Sequence, residues 1–245
     1  VEFWGIEANP KVETLRKCIE FGREQKAGFI LAVGGGSVLD GSKLVACALT
    51  EGETRDAWDI VLSRRPARCI PYASVMTLPA TGSEMNANSV ISRLETKEKL
   101  AFVAPENPCF SILDPETTMS LPERQTINGV VDSFVHVCEQ YLTVCANADV
   151  QDRYAEALCK VLIDNGRLIM KDPKNYAARA NIMWASTQAL NRWITQGVVD
   201  DWSTHMIGHE LTAYLGMDHA RTLACIQPRV LKFQFEAKKA KLAQM

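Results

Sequence analysis

The chain has four histidines, and all of them lie in its second half. Three, His205, His209 and His219, fall in one short stretch. His205 and His209 are four residues apart and share a helix face. His219 follows the turn Gly216-Met217-Asp218 and can fold back toward them. The fourth, His136, stands one helical turn from Asp132 among Val131, Phe134, Val135 and Val137. A carboxylate and an imidazole in such apolar surroundings cost free energy unless each has a partner. One reading is structural, with Asp132 bonded to backbone and His136 packed in a core. The gathering of a rare residue near one aspartate favours another, a single metal held by oxygen and nitrogen, which suits Zn²⁺ or Fe²⁺. His205-Met-Ile-Gly-His209-Glu210 is not the HExxH of zinc peptidases, because the glutamate lies outside the histidine pair.

Two loops could hold phosphate or ribose. Gly34-Gly35-Gly36-Ser37 joins an apolar strand to a helix. Its glycines let backbone approach a ligand, and the free N–H groups of the following helix attract anions. Ser37 can also cap that helix. A plain strand-to-helix turn is the competing reading, and Leu39 stands where a GxGxxG fingerprint needs its third glycine. The second loop, Thr77-Leu78-Pro79-Ala80-Thr81-Gly82-Ser83-Glu84, offers several hydroxyls directly after a strand. Alternatively, Thr81 or Ser83 caps a helix with Glu84 in its first turn.

The elements that must position these groups change character along the chain. Pro10 suits the first turn of a helix carrying Val12, Leu15, Cys18 and Ile19 on one face. Residues 28–33 read as a buried strand, followed by a helix to residue 49. Further short strands are expected at 74–78, 89–94, 100–103 and 110–113. Alternating strands and helices predict a parallel sheet covered by helices. Beyond Asp114-Pro115 the pattern turns to long amphipathic helices at 122–142, 150–170, 176–196 and 200–215. The expected organisation is an α/β domain over 1–121 and an all-helical domain over 122–245, with ligands in the cleft between them.

Bulk properties exclude several classes. A net charge of −2, from 27 basic and 29 acidic side chains, supplies no field for a row of phosphates, so nucleic acid is not expected as a partner. No apolar run is long enough to span a bilayer, and no membrane partner is expected. The eight cysteines form no CxxC pair. They read as small buried hydrophobes of a reducing compartment, the cytoplasm.

With these segments together, the sequence resembles the iron-containing alcohol dehydrogenases, above all their butanol dehydrogenase and aldehyde reductase branch. The resemblance rests on GGGSVLDGSK (34–43), TLPATGSEMN (77–86), NGVVDSFVHVCEQY (128–141) and DWSTHMIGHELTAYLGMDHARTLA (201–224). It implies a dehydroquinate synthase-like architecture and a metal site of Asp132, His136, His205 and His219, with His209 just outside the ligand set. There His209 reads either as a proton relay to the substrate oxygen or as a histidine that only packs against the cofactor. It places cofactor contacts at Gly34, Gly35, Gly36, Ser37, Asp40, Thr77, Leu78, Thr81, Ser83, Lys99 and Leu121. Asp40 would repel a phosphate, so it is expected to order amides or touch a neutral part of the cofactor. The implied activity is reversible hydride transfer between NAD(P)H, with NADP(H) preferred, and an aldehyde or primary alcohol. Four protein ligands leave room for a substrate oxygen only at a metal that accepts a fifth bond. A homodimer is the family's habit. The resemblance also implies a strand and loop before Val1 and further helices after Met245, the former helping to choose between NAD and NADP. A dehydroquinate synthase-like lyase, a glycerol dehydrogenase-like enzyme of the same fold and a non-catalytic metal-binding protein are the alternatives. The lyase would need Lys and Arg near the metal, where the histidine segment is mostly apolar.

Overall fold

The computed structural model describes residues 1–52, 55–145 and 147–245. They form two compact units, Val1–Thr77 with Ser83–Leu113 and Leu78–Gly82 with Asp114–Met245. The seam therefore runs ahead of residue 121. Segment 114–121 packs with the helical unit because Arg179 Nη1 donates to the Thr118 carbonyl (2.6 Å) and Lys174 Nζ to that of Met119 (2.7 Å).

In the first unit, α1 (Val12–Glu24) turns Val12, Leu15 and Ile19 inward. Lys11 is its N-cap, so Pro10 stands just outside the first turn where it was expected, and its carbonyl accepts the Ser92 N–H instead (2.9 Å). Next come β1 (Ile30–Gly35), α2 (Gly36–Ala48) and α3 (Ala57–Leu62). The sequence patterns did not reveal α3. It is capped by Asp56, which accepts the Trp58 N–H and pairs with Arg16 Nε and Nη2, each at 2.8 Å. The strands β2 (Tyr72–Leu78), β3 (Asn88–Arg93), β4 (Glu98–Val103) and β5 (Ser111–Ile112) lie close to the expected spans.

The expected parallel sheet is present in the order β1-β2-β5, with β2 and β5 parallel, but β3 and β4 form a separate antiparallel hairpin. Leu15, Leu44, Trp58, Ile60, Ile91 and Phe102 share one core beneath the helices and the hairpin. β1 is not the fully buried strand expected. Ala32 is buried while Phe29, Leu31 and Val33, at alternate positions, are 46%, 50% and 58% exposed. Period-two geometry gives the strand one inner and one outer face, whatever its composition.

In the second unit, α4 (Glu123–Tyr141), α5 (Asp149–Lys171) and α6 (Tyr176–Ala189) pack around Val137, Tyr141, Leu158, Leu162, Ile182 and Ala185. α6 stops short of residue 196, because Arg192 takes a positive φ of 69° and Asn191 Oδ1 accepts the Trp193 N–H. That side-chain turn competes with the helix ladder. α7 (Ser203–Leu215) ends at Gly216, which adopts φ 63° as a left-handed cap. Two helices beyond the expected set follow, α8 (His219–Phe233) and α9 (Phe235–Gln244). Lys238 anchors α9 to the Leu142 carbonyl and Asp201, and Lys241 pairs with buried Asp152. Among the described residues no helix is long and apolar enough to cross a membrane.

Candidate metal centre and cofactor loops

The site is built on α4. Arg124, Asn128, Asp132, His136 and Gln140 recur every fourth residue, so they occupy successive turns of neighbouring faces. The first two fix the turn before α8: Asp218 Oδ2 accepts from Arg124 Nε (2.7 Å) and Asn128 Nδ2 (3.2 Å). This holds His219 at the first residue of α8, facing Asp132. Gly208 allows α7 to approach α8 closely, since a Cβ there would meet Thr222 Oγ1 at 2.9 Å. Gln140 then ties α4 to α6 by donating to the carbonyls of His136 and Ala189, each at 2.7 Å.

The centre is one carboxylate oxygen facing three imidazoles. Asp132 Oδ1 lies 3.6 Å from His136 Nε2, 3.5 Å from His205 Nε2 and 3.5 Å from His219 Nε2. Asp132, His136 and His205 are buried, and His219 is partly exposed. Among the described residues, Asp132, His205 and His219 form a set that could hold an ion, with donor atoms all within 4.8 Å of one another. His136 adjoins it through Asp132 and by stacking on His205, with ring centroids 4.6 Å apart. Trp202 covers His205 edge-on at 5.3 Å. His209 is also buried, with its ring 5.4 Å from that of His219.

These residues fit a divalent metal. Buried Asp132 Oδ1 and His205 Nε2 have no hydrogen-bond partner, an expensive arrangement in a protein interior. Separations of 3.5–3.6 Å are long for hydrogen bonds but close to the edge of a coordination shell. Bonds of about 2.1 Å put neighbouring ligands of a tetrahedral ion roughly 3.4 Å apart. At His205 burial is outweighed by the facing carboxylates of Asp132 and Glu139, which raise its pKa in the metal-free protein. Burial alone would push Asp132 upward, but the three imidazoles outweigh it and hold the carboxyl well below its usual range. Burial dominates at His136 and lowers its pKa to about 4, leaving a neutral donor at neutral pH.

Glu139 completes the arrangement and was not singled out from sequence. It is buried, and it accepts the backbone N–H groups of Thr204 (2.5 Å) and His205 (3.2 Å) and meets the His205 ring at Nδ1. Its signal was present in the spacing, three residues after His136 and seven after Asp132, which places it on their side of the helix.

The Leu78–Gly82 loop belongs to the same unit as α4. Ser133 Oγ donates to the Ala80 carbonyl (3.1 Å), and His136 also interacts with that carbonyl. The approach is close at Gly129, where a Cβ would stand 2.3 Å from the Pro79 oxygen. Gly129→Ala is therefore expected to destabilise the protein by about 1–3 kcal/mol, although alanine ordinarily favours a helix over glycine. Denaturant unfolding checks this, and equal or greater stability would show that the loop yields freely. Leu78 and Thr81 are in this loop, while Leu121 lines a small cavity with Pro79, Thr118, Thr126 and Arg179.

In the first unit, Gly34 and Gly35 end β1 and Gly36 opens α2. A Cβ at Gly34 would strike Val38 Cγ2 at 2.6 Å, so this glycine serves the packing of strand on helix. Ser37 does not cap α2. Gly35 is the N-cap, and Ser37 Oγ accepts the Asn9 N–H (3.1 Å). Asn9 Oδ1 in turn accepts from Lys99 Nζ (2.9 Å), so Asn9, absent from the expected set, joins Ser37 to Lys99. Asp40 is turned inward, accepting Ser83 Oγ (2.6 Å) and the Val90 N–H (2.9 Å). Ser83 Oγ also accepts from the fully buried Lys43 Nζ at 2.6 Å. Ser83 thus belongs to an internal network rather than a helix cap. Thr77 lies near the end of β2.

Both halves of one family are represented in the chain. Residues 1–115 match the iron-containing alcohol dehydrogenase profile, and residues 126–245 match the C-terminal profile of the same family. The chain belongs to the iron-containing alcohol dehydrogenases. Among its relatives it is 52% identical over 247 residues to the NADPH-dependent aldehyde reductase YqhD of Escherichia coli, covering 100% of this chain and 64% of that protein. It is 41% identical over 234 residues to NADH-dependent butanol dehydrogenase B of Clostridium acetobutylicum, covering 95% of this chain and 60% of that one. The crystal structure of Escherichia coli YqhD superposes with a TM-score of 0.98 at 51% identity, over 100% of this chain and 63% of that chain. The chain thus spans somewhat under two thirds of the length of these relatives.

Proposed function

We propose that this protein transfers hydride reversibly between a nicotinamide dinucleotide and an aldehyde or primary alcohol, at a metal held by Asp132, His136, His205 and His219. The observation that carries this is the convergence of three imidazole Nε2 atoms on one buried carboxylate oxygen. A bound Fe²⁺ or Zn²⁺ supplies Lewis acidity toward a carbonyl oxygen, and the reduced nicotinamide supplies the hydride. NADP(H) is the preferred cofactor, because the 52% identical relative is named as NADPH-dependent and the 41% identical one as NADH-dependent. The family name favours iron, while the oxygen and nitrogen donor set suits zinc as well.

The chain's own groups have distinct tasks in this reading. Backbone amides at Gly34, Gly35, Gly36 and Ser37 receive the cofactor's phosphates at the N-terminus of α2. Asp40 and Ser83 brace that region from within, and Lys99 is steadied by Asn9. Thr77, Leu78, Thr81 and Leu121 contact the remainder of the cofactor. His209 passes a proton to the substrate oxygen, directly or through a water or ribose hydroxyl, since imidazole ordinarily titrates near neutrality. A homodimer in the cytoplasm is the proposed setting, and eight free cysteines agree with a reducing compartment.

The test is NADPH oxidation by the purified, metal-loaded protein with butyraldehyde. Saturable turnover that stops on chelation is expected, and no turnover with NADPH or NADH across short aldehydes would overturn the proposal. In the same assay His209→Ala is expected to lower turnover by about ten- to a thousandfold and to flatten its pH profile near neutrality. Unchanged turnover and pH profile at saturating cofactor would remove the relay.

A further inference from the structure

Glu139 is a buried carboxylate whose neighbours account for both of its oxygens. Oε1 accepts the Thr204 N–H, and Oε2 faces the His205 N–H and the ring Nδ1. The first consequence is local. α7 begins after Trp202, which provides no side-chain cap, so a residue of α4 satisfies two amides of its first turn. A negative charge there also complements the helix dipole.

The second consequence concerns His205. An ionised carboxylate only accepts hydrogen bonds, so a neutral His205 facing Glu139 must carry its hydrogen on Nδ1. Its Nε2 then presents a lone pair to the place where it stands 3.5 Å from Asp132 Oδ1. This is the tautomer a metal needs, and a carboxylate behind the ring strengthens the nitrogen as a donor. We propose that Glu139 is a positioning residue that selects the Nδ1–H tautomer of His205 and thereby sets the affinity of the metal centre. The inference rests on the metal-centre reading above.

Glu139→Gln tests this role while keeping one of the two capping bonds, that from the Thr204 N–H. The glutamine oxygen can still accept the Thr204 N–H, but its NH₂ group would face His205 Nδ1 and donate to it. That drives the hydrogen onto Nε2, where it blocks coordination. Zinc affinity of the metal-free protein, measured by competition with a chromophoric chelator, is expected to fall about 10- to 100-fold. The thermal midpoint of the metal-free variant is expected to change by no more than a few degrees. Equal zinc affinity in the two proteins would overturn the proposal, whereas a wild-type protein that binds no zinc would overturn the metal-centre reading itself. A second measurement stands apart from the variant's folding. Nitrogen-15 shifts of His205 in the metal-free wild-type protein at alkaline pH are expected to show hydrogen on Nδ1, and a hydrogen on Nε2 would overturn the inference.

Discussion

Asp132→Ala is expected to reduce bound metal from about one ion per chain to a small fraction, and to lower aldehyde reduction by at least about a thousandfold. The size of the effect follows from the position of this side chain. Its Oδ1 is the atom all three histidines face, and it contributes the set's negative charge. Losing a residue that merely supports a ligand costs about 10- to 100-fold in metal affinity, so losing a charged ligand should cost more. His219→Ala should show the same two losses together, because His219 belongs to the donor set formed with Asp132 and His205. Elemental analysis after dialysis provides the check. A fully loaded, active Asp132→Ala protein would show that the carboxylate is structural.

The second large effect is expected at Lys43, which is fully buried in the first unit. Its ammonium donates to Ser83 Oγ, Asn86 Oδ1 and the Asn88 carbonyl, and Asp40 lies on the far side of Ser83. Methionine would fill much of the volume but leave these acceptors without their donor and Asp40 without its nearby cation. A cost of about 3–5 kcal/mol is expected, the scale for removing one partner from a buried ionic network. Its pH dependence has a definite sign. Burial lowers the Lys43 pKa from 10.5 to about 8, despite the opposing pull of Asp40 and Glu84. Between those values the unfolded chain binds more protons than the folded one, so the contribution of Lys43 rises with pH there and is level below about 8. The gap in unfolding free energy between wild type and Lys43→Met should therefore widen from pH 8 toward 10.5. A variant within about 1 kcal/mol of wild type would show that the network reorganises around the loss.

The helical half was legible because its signals are local. The 3.6-residue rhythm of 123–141 exposes α4, and a polar pair on its apolar flank marks Asp132 and His136. Glu139 escaped notice because a single glutamate on a helix ordinarily faces water, and only the tertiary approach of α7 buries it. α8 was obscured by Pro228, which reads as a helix breaker yet lies within the helix. The end of α6 was also misread, since the Asn191 turn interrupts a sequence that still looks helical. In the first unit the strands could be found from composition, but composition does not give strand direction, so the pairing of neighbouring β3 and β4 as a separate antiparallel hairpin was not foreseen. Asn9 was missed because its links to Ser37 and Lys99 span 28 and 90 positions.

The row of anchors along α4 carries a consequence at the level of the gene. Arg124 and Asn128 hold the turn that presents His219, Asp132 meets it, and Gln140 ties the helix to α6. Loss of one codon between Asn128 and Asp132 would turn everything downstream by about 100° and draw it back by about 1.5 Å. The turn bearing His219 would stay with the upstream half while the carboxylate rotated away. The length of this stretch therefore encodes a distance as well as a composition.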